Sequence, residues 1–297
     1  MKQKKIHAKK KRKEKRKAVR IMRLIDTEFF KGYVHMAMDG DRMGWHERNG
    51  GNFTYWMTHE EADAVREEFS EGEWREIGTS VKGLANEYFL ISGTGEYFHN
   101  MEKDPEGTIG VIQLDESGEY YRVLWGLKNG GRPTSELPTH LMNMEVCAKR
   151  TKNENRVIYH CHCPNIIALT FILPNDSSIV TSELWQSMTE CPVIFPEGVG
   201  IVEWMVPGGR EIAVASSKLM ENYNAVIWAH HGMFCSGKNF DLTFGLMHTI
   251  EKSAEIWLKV HSVVEKPRQT IRHDDFIKLA KEFGVELNKE ALEKTPR

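Results

Sequence analysis

The chain is poor in the features that staple a protein or anchor it. Its 297 residues hold five cysteines (Cys147, Cys161, Cys163, Cys191 and Cys235), an odd number without framework spacing. That excludes a small disulfide-built secreted scaffold and makes a reducing, cytoplasmic setting the expectation. No CxxC pair points to a thiolate zinc site. No apolar run approaches the ~20 residues a membrane helix needs. The apolar step after Arg20 is only Ile21-Met22, too short for a secretory leader. Internal repeats are missing, and low-complexity sequence is confined to the first residues.

Positive charge is scarce over most of the chain. Residues 1–23 hold thirteen Lys or Arg and one acid, Glu14, so the 40 basic and 42 acidic residues of the whole leave 27 against 41 beyond them. A run of like charge reads as a disordered tail (1–23), followed by a catalytic domain over 24–297. The acidic body argues against nucleic acid as its partner, because tracking phosphates needs a basic face.

What is present reads as alternating helices and strands. Leu24, Phe29, Phe30, Val34 and Met38 recur at helical spacing and predict an amphipathic helix over 24–44. Asn49-Gly50-Gly51-Asn52 predicts a hairpin turn, with an anion-binding nest as the weaker alternative. Residues 59–80 are acidic and irregular. A strand at 87–92 enters the small loop Gly93-Thr94-Gly95, a second nest candidate, and a hairpin pairs 109–114 with 120–124.

Pro133-Thr134-Ser135-Glu136-Leu137-Pro138 marks the start of a helix covering 138–149. Glu136 alone is a first-turn acid favoured by the helix dipole. Two hydroxyls and free amides beside it would also hold a phosphate while the carboxylate faces whatever that phosphate anchors. Pro164 opens an apolar helix reaching Leu173, which after the preceding strand predicts half of a βαβ unit. Further on, a helix over 181–188, a short strand at 191–195 behind Glu190, helices over 209–222, 241–261 and 274–283, and a strand ending at His231 complete an α/β fold, a sheet covered by helices.

The stretch with the most chemistry is Arg156-Val157-Ile158-Tyr159-His160-Cys161-His162. Strand alternation puts His160 and His162 on one face and Cys161 on the other. A lone histidine at a strand end is usually a hydrogen-bonded core residue; two side by side would leave ring nitrogens unsatisfied unless they bind a metal. Cys161 and Cys163 read as buried or loop thiols. A third ligand is offered downstream by Trp228-Ala229-His230-His231-Gly232, where spacing does not decide between the two histidines. Three neutral imidazoles would hold a dication with an open position, a strong Lewis acid.

The motifs GWHERNGGN, VLWGL, PTSELPTHL, RVIYHCHCPNIIALT, ELWQSMTECPVIFPEGVGI, WMVPG, HHGMFCSG and TFGLMHTIEKSA, in this order between about residues 28 and 285, closely resemble the class II aldolase/adducin-like family. The His-Cys-His strand and the Thr-Ser-Glu-Leu-Pro segment are similar to the branch acting on L-rhamnulose 1-phosphate, and less so to the fuculose-phosphate and ribulose-phosphate epimerase branches. The resemblance implies a mixed sheet covered by helices, assembled as a cyclic homotetramer with sites between subunits. It implies one zinc per subunit on His160, His162 and His231, and reversible cleavage of that sugar phosphate to dihydroxyacetone phosphate and L-lactaldehyde. Glu136 is then the carboxylate that moves the proton on the dihydroxyacetone phosphate carbon. Glu190 reaches the aldehyde end from a neighbouring subunit. Asn49, Gly51, Asn52, Gly93, Thr94, Gly95, Thr134 and Ser135 form the phosphate and substrate cradle. Thr94 stands where serine is usual, the basic tail has no counterpart, and residues 59–80 diverge. On residues alone two rivals remain, a zinc hydrolase with Glu136 as base and an adducin-like binding module; the second is disfavoured by the presence of all three histidines and both carboxylates.

Overall fold

The computed structural model describes residues 22–128 and 130–297, so nearly all of the basic start lies outside the described residues. After a 3₁₀ turn at Leu24–Asp26, α1 runs over Glu28–Arg42, its first turn capped by the Thr27 hydroxyl accepting from the Phe30 amide. In chain order follow β1 (Asn52–Trp56), α2 (His59–Ala64), β2 (Arg75–Glu76), β3 (Tyr88–Ser92), α3 (Pro105–Thr108), β4 (Ile109–Leu114), β5 (Tyr120–Gly126), α4 (Leu137–Thr151), β6 (Val157–Cys161), α5 (Pro164–Leu169), α6 (Ser177–Ser187) and α7 (Cys191–Ile194). The chain closes with β7 (Gly200–Val202), α8 (Arg210–Met220), β8 (Ala225–Trp228), β9 (Gly232–Gly237), α9 (Phe240–His261), α10 (His273–Phe283) and α11 (Lys289–Glu293).

One nine-stranded sheet in the order β2-β5-β4-β3-β1-β6-β9-β8-β7 carries the fold. Every adjacent pair is antiparallel except β7–β8, so the sheet is mixed as expected. Helices cover both faces. Phe30, Tyr33, Leu246, Met247 and Ile250 from α1 and α9 pack on one; Leu141, Met144, Cys147, Ile212 and Met220 from α4 and α8 pack on the other. Strand alternation decides what β6 gives to each. Val157, Tyr159 and Cys161 join the α1/α9 side, while Ile158 points to the α4/α8 side.

Several sequence expectations are corrected. The Asn49-Gly50-Gly51-Asn52 segment ends the loop joining α1 to β1 and is no hairpin; of its residues only Gly51 has a positive φ. Residues 59–80 contain α2, opened by a Thr58/Glu61 capping box, a 3₁₀ turn and the edge strand β2. The half βαβ after β6 is not formed, because β6 lies antiparallel between β1 and β9; the parallel unit is β7-α8-β8. The segment 191–195 forms the short helix α7, with Pro192 in the first turn where a missing amide costs nothing. α5 stops at Leu169 and leaves Phe171 and Ile172 exposed; Leu173, the residue before Pro174 and so disfavoured in the helical region, lies outside it. Buried Glu251 of α9 supplies the cap α5 lacks, accepting from the Asn165 and Ile166 amides at 3.0 and 2.9 Å. Among the described residues no helix is long and apolar enough to cross a membrane.

Candidate metal centre and active site

The end of β6 and the tight β8–β9 connection meet at one point. β6 pairs with β9 through His160↔Phe234 and Cys161↔Met233. A Cβ on Gly232 would lie 2.3 Å from the Cys161 carbonyl oxygen, so only glycine lets β9 begin this close to β6. The ambiguity between His230 and His231 is settled by the backbone. His230 adopts φ 62°, is exposed, and packs on Phe171 with ring centroids 4.2 Å apart. His231 turns inward, 5.1 Å from the His160 ring and 4.9 Å from that of His162.

His160, His162 and His231 each offer a ring nitrogen, all within 4.8 Å of one another. His160 is fully buried, stacked on Phe234 at 4.1 Å. Its Nδ1–H donates to the Met233 carbonyl at 3.1 Å, yet its Nε2 has no partner. An orphaned buried nitrogen costs free energy unless something binds it, and it faces two more imidazoles. Burial, together with the neighbouring His162 and His231, holds His160 well below the ordinary histidine range. Burial, then His162, pulls His231 down to about 4. Neutral imidazoles are the form a metal needs, and the three donors fit a dication such as zinc.

Glu136 sits at the N-cap of α4 and is buried. Its Oε2 accepts from Asn52 Nδ2 at 3.0 Å and lies 3.7 Å from His160 Nε2, too far for a hydrogen bond. Burial raises its pKa, partly offset by the Asn52 amide and by His162. Asn52 is held in turn by His140, whose Nε2 meets Asn52 Oδ1 while its Nδ1 bonds Thr54 Oγ1 at 2.9 Å. With Nε2 protonated, His140 fixes which way the Asn52 amide points, and so aims its NH2 at Glu136.

The expected cradle is only partly gathered. Thr94, Thr134 and Ser135 line a hollow of about 500 Å³ together with Arg132, Gly208 and Arg210. The amides of Gly93, Thr94 and Thr134 are occupied by the carbonyls of Thr108, Arg132 and Ser92, so this loop is no open amide nest; it presents hydroxyls and Gly95. Asn49 and Gly51 stay in the α1–β1 turn, Asn49 exposed. Glu190 is elsewhere, exposed on a groove of about 1000 Å³ between α6, α7 and α10 with Gln186, Thr270, Asp275 and Lys278. Cys161 and Cys163 are buried thiols away from the cluster, as expected.

Sequence reasoning missed four residues here. His140 and His46 lie within the PTSELPTHL and GWHERNGGN motifs, but nothing local gives either a role, and the fold brings them to Thr54, Asn52 and Tyr159. Glu47, whose Oε1 lies 2.6 Å from His162 Nδ1, stands in a stretch whose local signal comes from its glycines. Arg210 follows Gly208-Gly209, a pair that signals only a helix start.

The family described as Class II Aldolase and Adducin N-terminal domain matches residues 33–258. A rhamnulose-1-phosphate aldolase of Mannheimia succiniciproducens is 44% identical over 263 residues, 88% of this chain and 96% of its own. One of Klebsiella pneumoniae is 41% identical over 274 residues, 92% of this chain and 99% of its own. Among solved structures, a sugar-phosphate aldolase from Thermotoga maritima superposes with a TM-score of 0.67 at 28% identity, covering 79% of this chain and 95% of that one. An L-fuculose-1-phosphate aldolase from Thermus thermophilus, with a TM-score of 0.53 at 18% identity over 81% and 98%, is alike in fold.

Proposed function

The chain belongs to the class II aldolase and adducin family, and from that premise we propose a zinc-dependent lyase that reversibly cleaves L-rhamnulose 1-phosphate to dihydroxyacetone phosphate and L-lactaldehyde in rhamnose degradation. The substrate follows the relatives that share over 40% of their residues with this chain along most of its length. The observation that carries the chemistry is the unpartnered Nε2 of His160, facing His162 and His231 on one side and the Glu136 carboxylate on the other.

Breaking the C3–C4 bond leaves an electron pair on the three-carbon phosphate fragment. His160, His162 and His231 would hold a dication, which would supply the sink for that pair, so that no Schiff-base lysine is needed. Glu136 holds and returns the proton at the fragment's reacting carbon. Its burial keeps the carboxyl's proton affinity high, which suits both directions of transfer. Asn52, oriented by His140, prevents the carboxylate from turning away. The Thr134 and Ser135 hydroxyls immediately precede Glu136, and the hollow they line also has two guanidiniums, Arg132 and Arg210. A phosphate held there anchors the substrate at one end and converts remote binding energy into alignment of the reacting carbons. Thr94 lines the same hollow, while Asn49 and Gly51 of the α1–β1 turn, with Gly93 and Gly95, belong to the cradle on the family resemblance alone.

Glu190 serves the aldehyde end of a neighbouring subunit's site in a cyclic homotetramer. That reading is supported by its exposure away from the histidines of its own chain. The buried free thiols accord with a cytoplasmic protein. Metal analysis and product analysis on one purified sample test the whole. About one zinc per chain and release of triose phosphate are expected. Release of inorganic phosphate without triose phosphate would make the protein a hydrolase, and activity retained by a fully active, metal-free preparation would refute the zinc reading.

A further inference from the structure

The carboxylate beside the metal site to which the proposed chemistry gives no role is Glu47. We propose that Glu47 is a positioning residue that orients His162 for the metal, and that glycine at position 50 keeps the space this pair needs. The inference rests on the three-histidine metal reading above.

The first observation is the contact itself. His162 Nδ1 lies 2.6 Å from Glu47 Oε1, with the imidazole side chain 19% and the carboxylate side chain 65% exposed. Donating the Nδ1 proton to Glu47 leaves the lone pair on Nε2, so the ring has one tautomer and one orientation available for a cation. His160 achieves the same through the Met233 carbonyl. A carboxylate accepting from the outer nitrogen also raises the basicity of the inner one. An ordinary ion pair this exposed would contribute little.

The second observation is independent of the first. Gly50 does not have a left-handed φ, so conformational freedom is not what position 50 requires. A Cβ there would sit 2.8 Å from His162 Nδ1, 3.0 Å from Glu47 Oε1 and 2.9 Å from the Glu47 carbonyl oxygen. The space a side chain would occupy is the space taken by the hydrogen bond. The turn is closed by the Gly50 amide donating to the Glu47 carbonyl at 2.8 Å, and it runs directly into Asn52, which grips Glu136. One short turn thus sets a metal ligand at its start and the catalytic carboxylate at its end.

The test is the zinc affinity of the full chain, read by competition with a chromophoric chelator. Glu47→Gln is expected to weaken zinc binding about 10–100-fold. Gly50→Ala is expected to act similarly although it removes no charge, and the double variant should be little weaker than either single one, because both weaken the same charge-assisted hydrogen bond, Gly50→Ala by crowding it and Glu47→Gln by replacing the carboxylate with a neutral acceptor. Glu154→Gln, which breaks an exposed pair with Lys238, controls for loss of charge alone and should match the wild type. Should Gly50→Ala fail to fold, Glu47→Gln decides alone. Unchanged zinc affinity in Glu47→Gln overturns the proposal, whereas a wild-type chain that takes up no zinc overturns the metal reading instead.

Discussion

Two groups of histidines lie close together in this molecule and have opposite fates. Beneath the site, His46 and His140 are buried with both ring nitrogens partnered. His46 bonds the Gly50 carbonyl at 2.9 Å and the Tyr159 hydroxyl at 2.7 Å, and His140 bonds Thr54 and Asn52. At the strand ends, His160 has one nitrogen bonded and one without a partner, aimed where His162 and His231 also point. Burial alone does not separate the groups, since His160 and His140 are equally inaccessible. What separates them is whether the protein satisfies every nitrogen. A fully satisfied histidine is a structural joint, and one left with a free nitrogen beside others of its kind is placed to bind a metal.

The comparison breaks first if His160 is dispensable. His160→Ala is expected to abolish stoichiometric zinc uptake and lower aldol cleavage on the order of 10³-fold or more, the several kcal/mol a Lewis acid supplies. Zinc analysis beside a triose-phosphate assay checks it, and near-normal turnover would end the distinction. Glu136→Gln comes next. It keeps the shape and a partner for Asn52 but carries no transferable proton, so kcat should fall about 10²–10⁴-fold with zinc content unchanged; a loss of zinc would instead make Glu136 a ligand.

The third test concerns the satisfied group. Burial pushes His140 down to about 3, while the unfolded chain titrates near the ordinary value of about 6.5. A depressed histidine contributes stability that is present above about pH 6.5 and lost as pH falls from there toward 3, because only the unfolded chain takes the proton. The slope is at most about 1.4 kcal/mol per pH unit. Thermal melts between pH 7 and 5 should therefore flatten in His140→Gln relative to the wild type, and parallel curves would contradict a neutral, buried His140. The smallest effect is expected at His46, where His46→Gln keeps one of two hydrogen bonds. The cost is about 1 kcal/mol, a shift of about 2 °C in Tm, with zinc stoichiometry retained; loss of zinc would place His46 in the wrong group.

Local sequence carried much of this. Alternation along Val157–Cys161 was enough to put His160 on the face opposite Cys161, and the Pro-Thr-Ser-Glu-Leu-Pro segment announced the α4 N-terminus, although Glu136 stands at its N-cap and not in the first turn as sequence suggests. Long helices with clear periodicity, α1, α4 and α9, lie where spacing placed them, within a few residues. Segments without periodicity failed: 191–195 turned helical around Pro192, and 59–80 held elements too short to show a period.

The chain by itself determined which residues are available, namely two histidines on one strand, a third within two candidates, and a carboxylate behind two hydroxyls, because strand alternation and helix capping act over a few residues and are written locally. Only the tertiary structure decided between His230 and His231, found partners for His46 and His140, drew Glu47 to His162 and sent Glu190 to a different face. Those outcomes depend on contacts between segments tens of residues apart, set by the antiparallel β1–β6–β9 register, and no local periodicity encodes which distant nitrogen will be left without a partner.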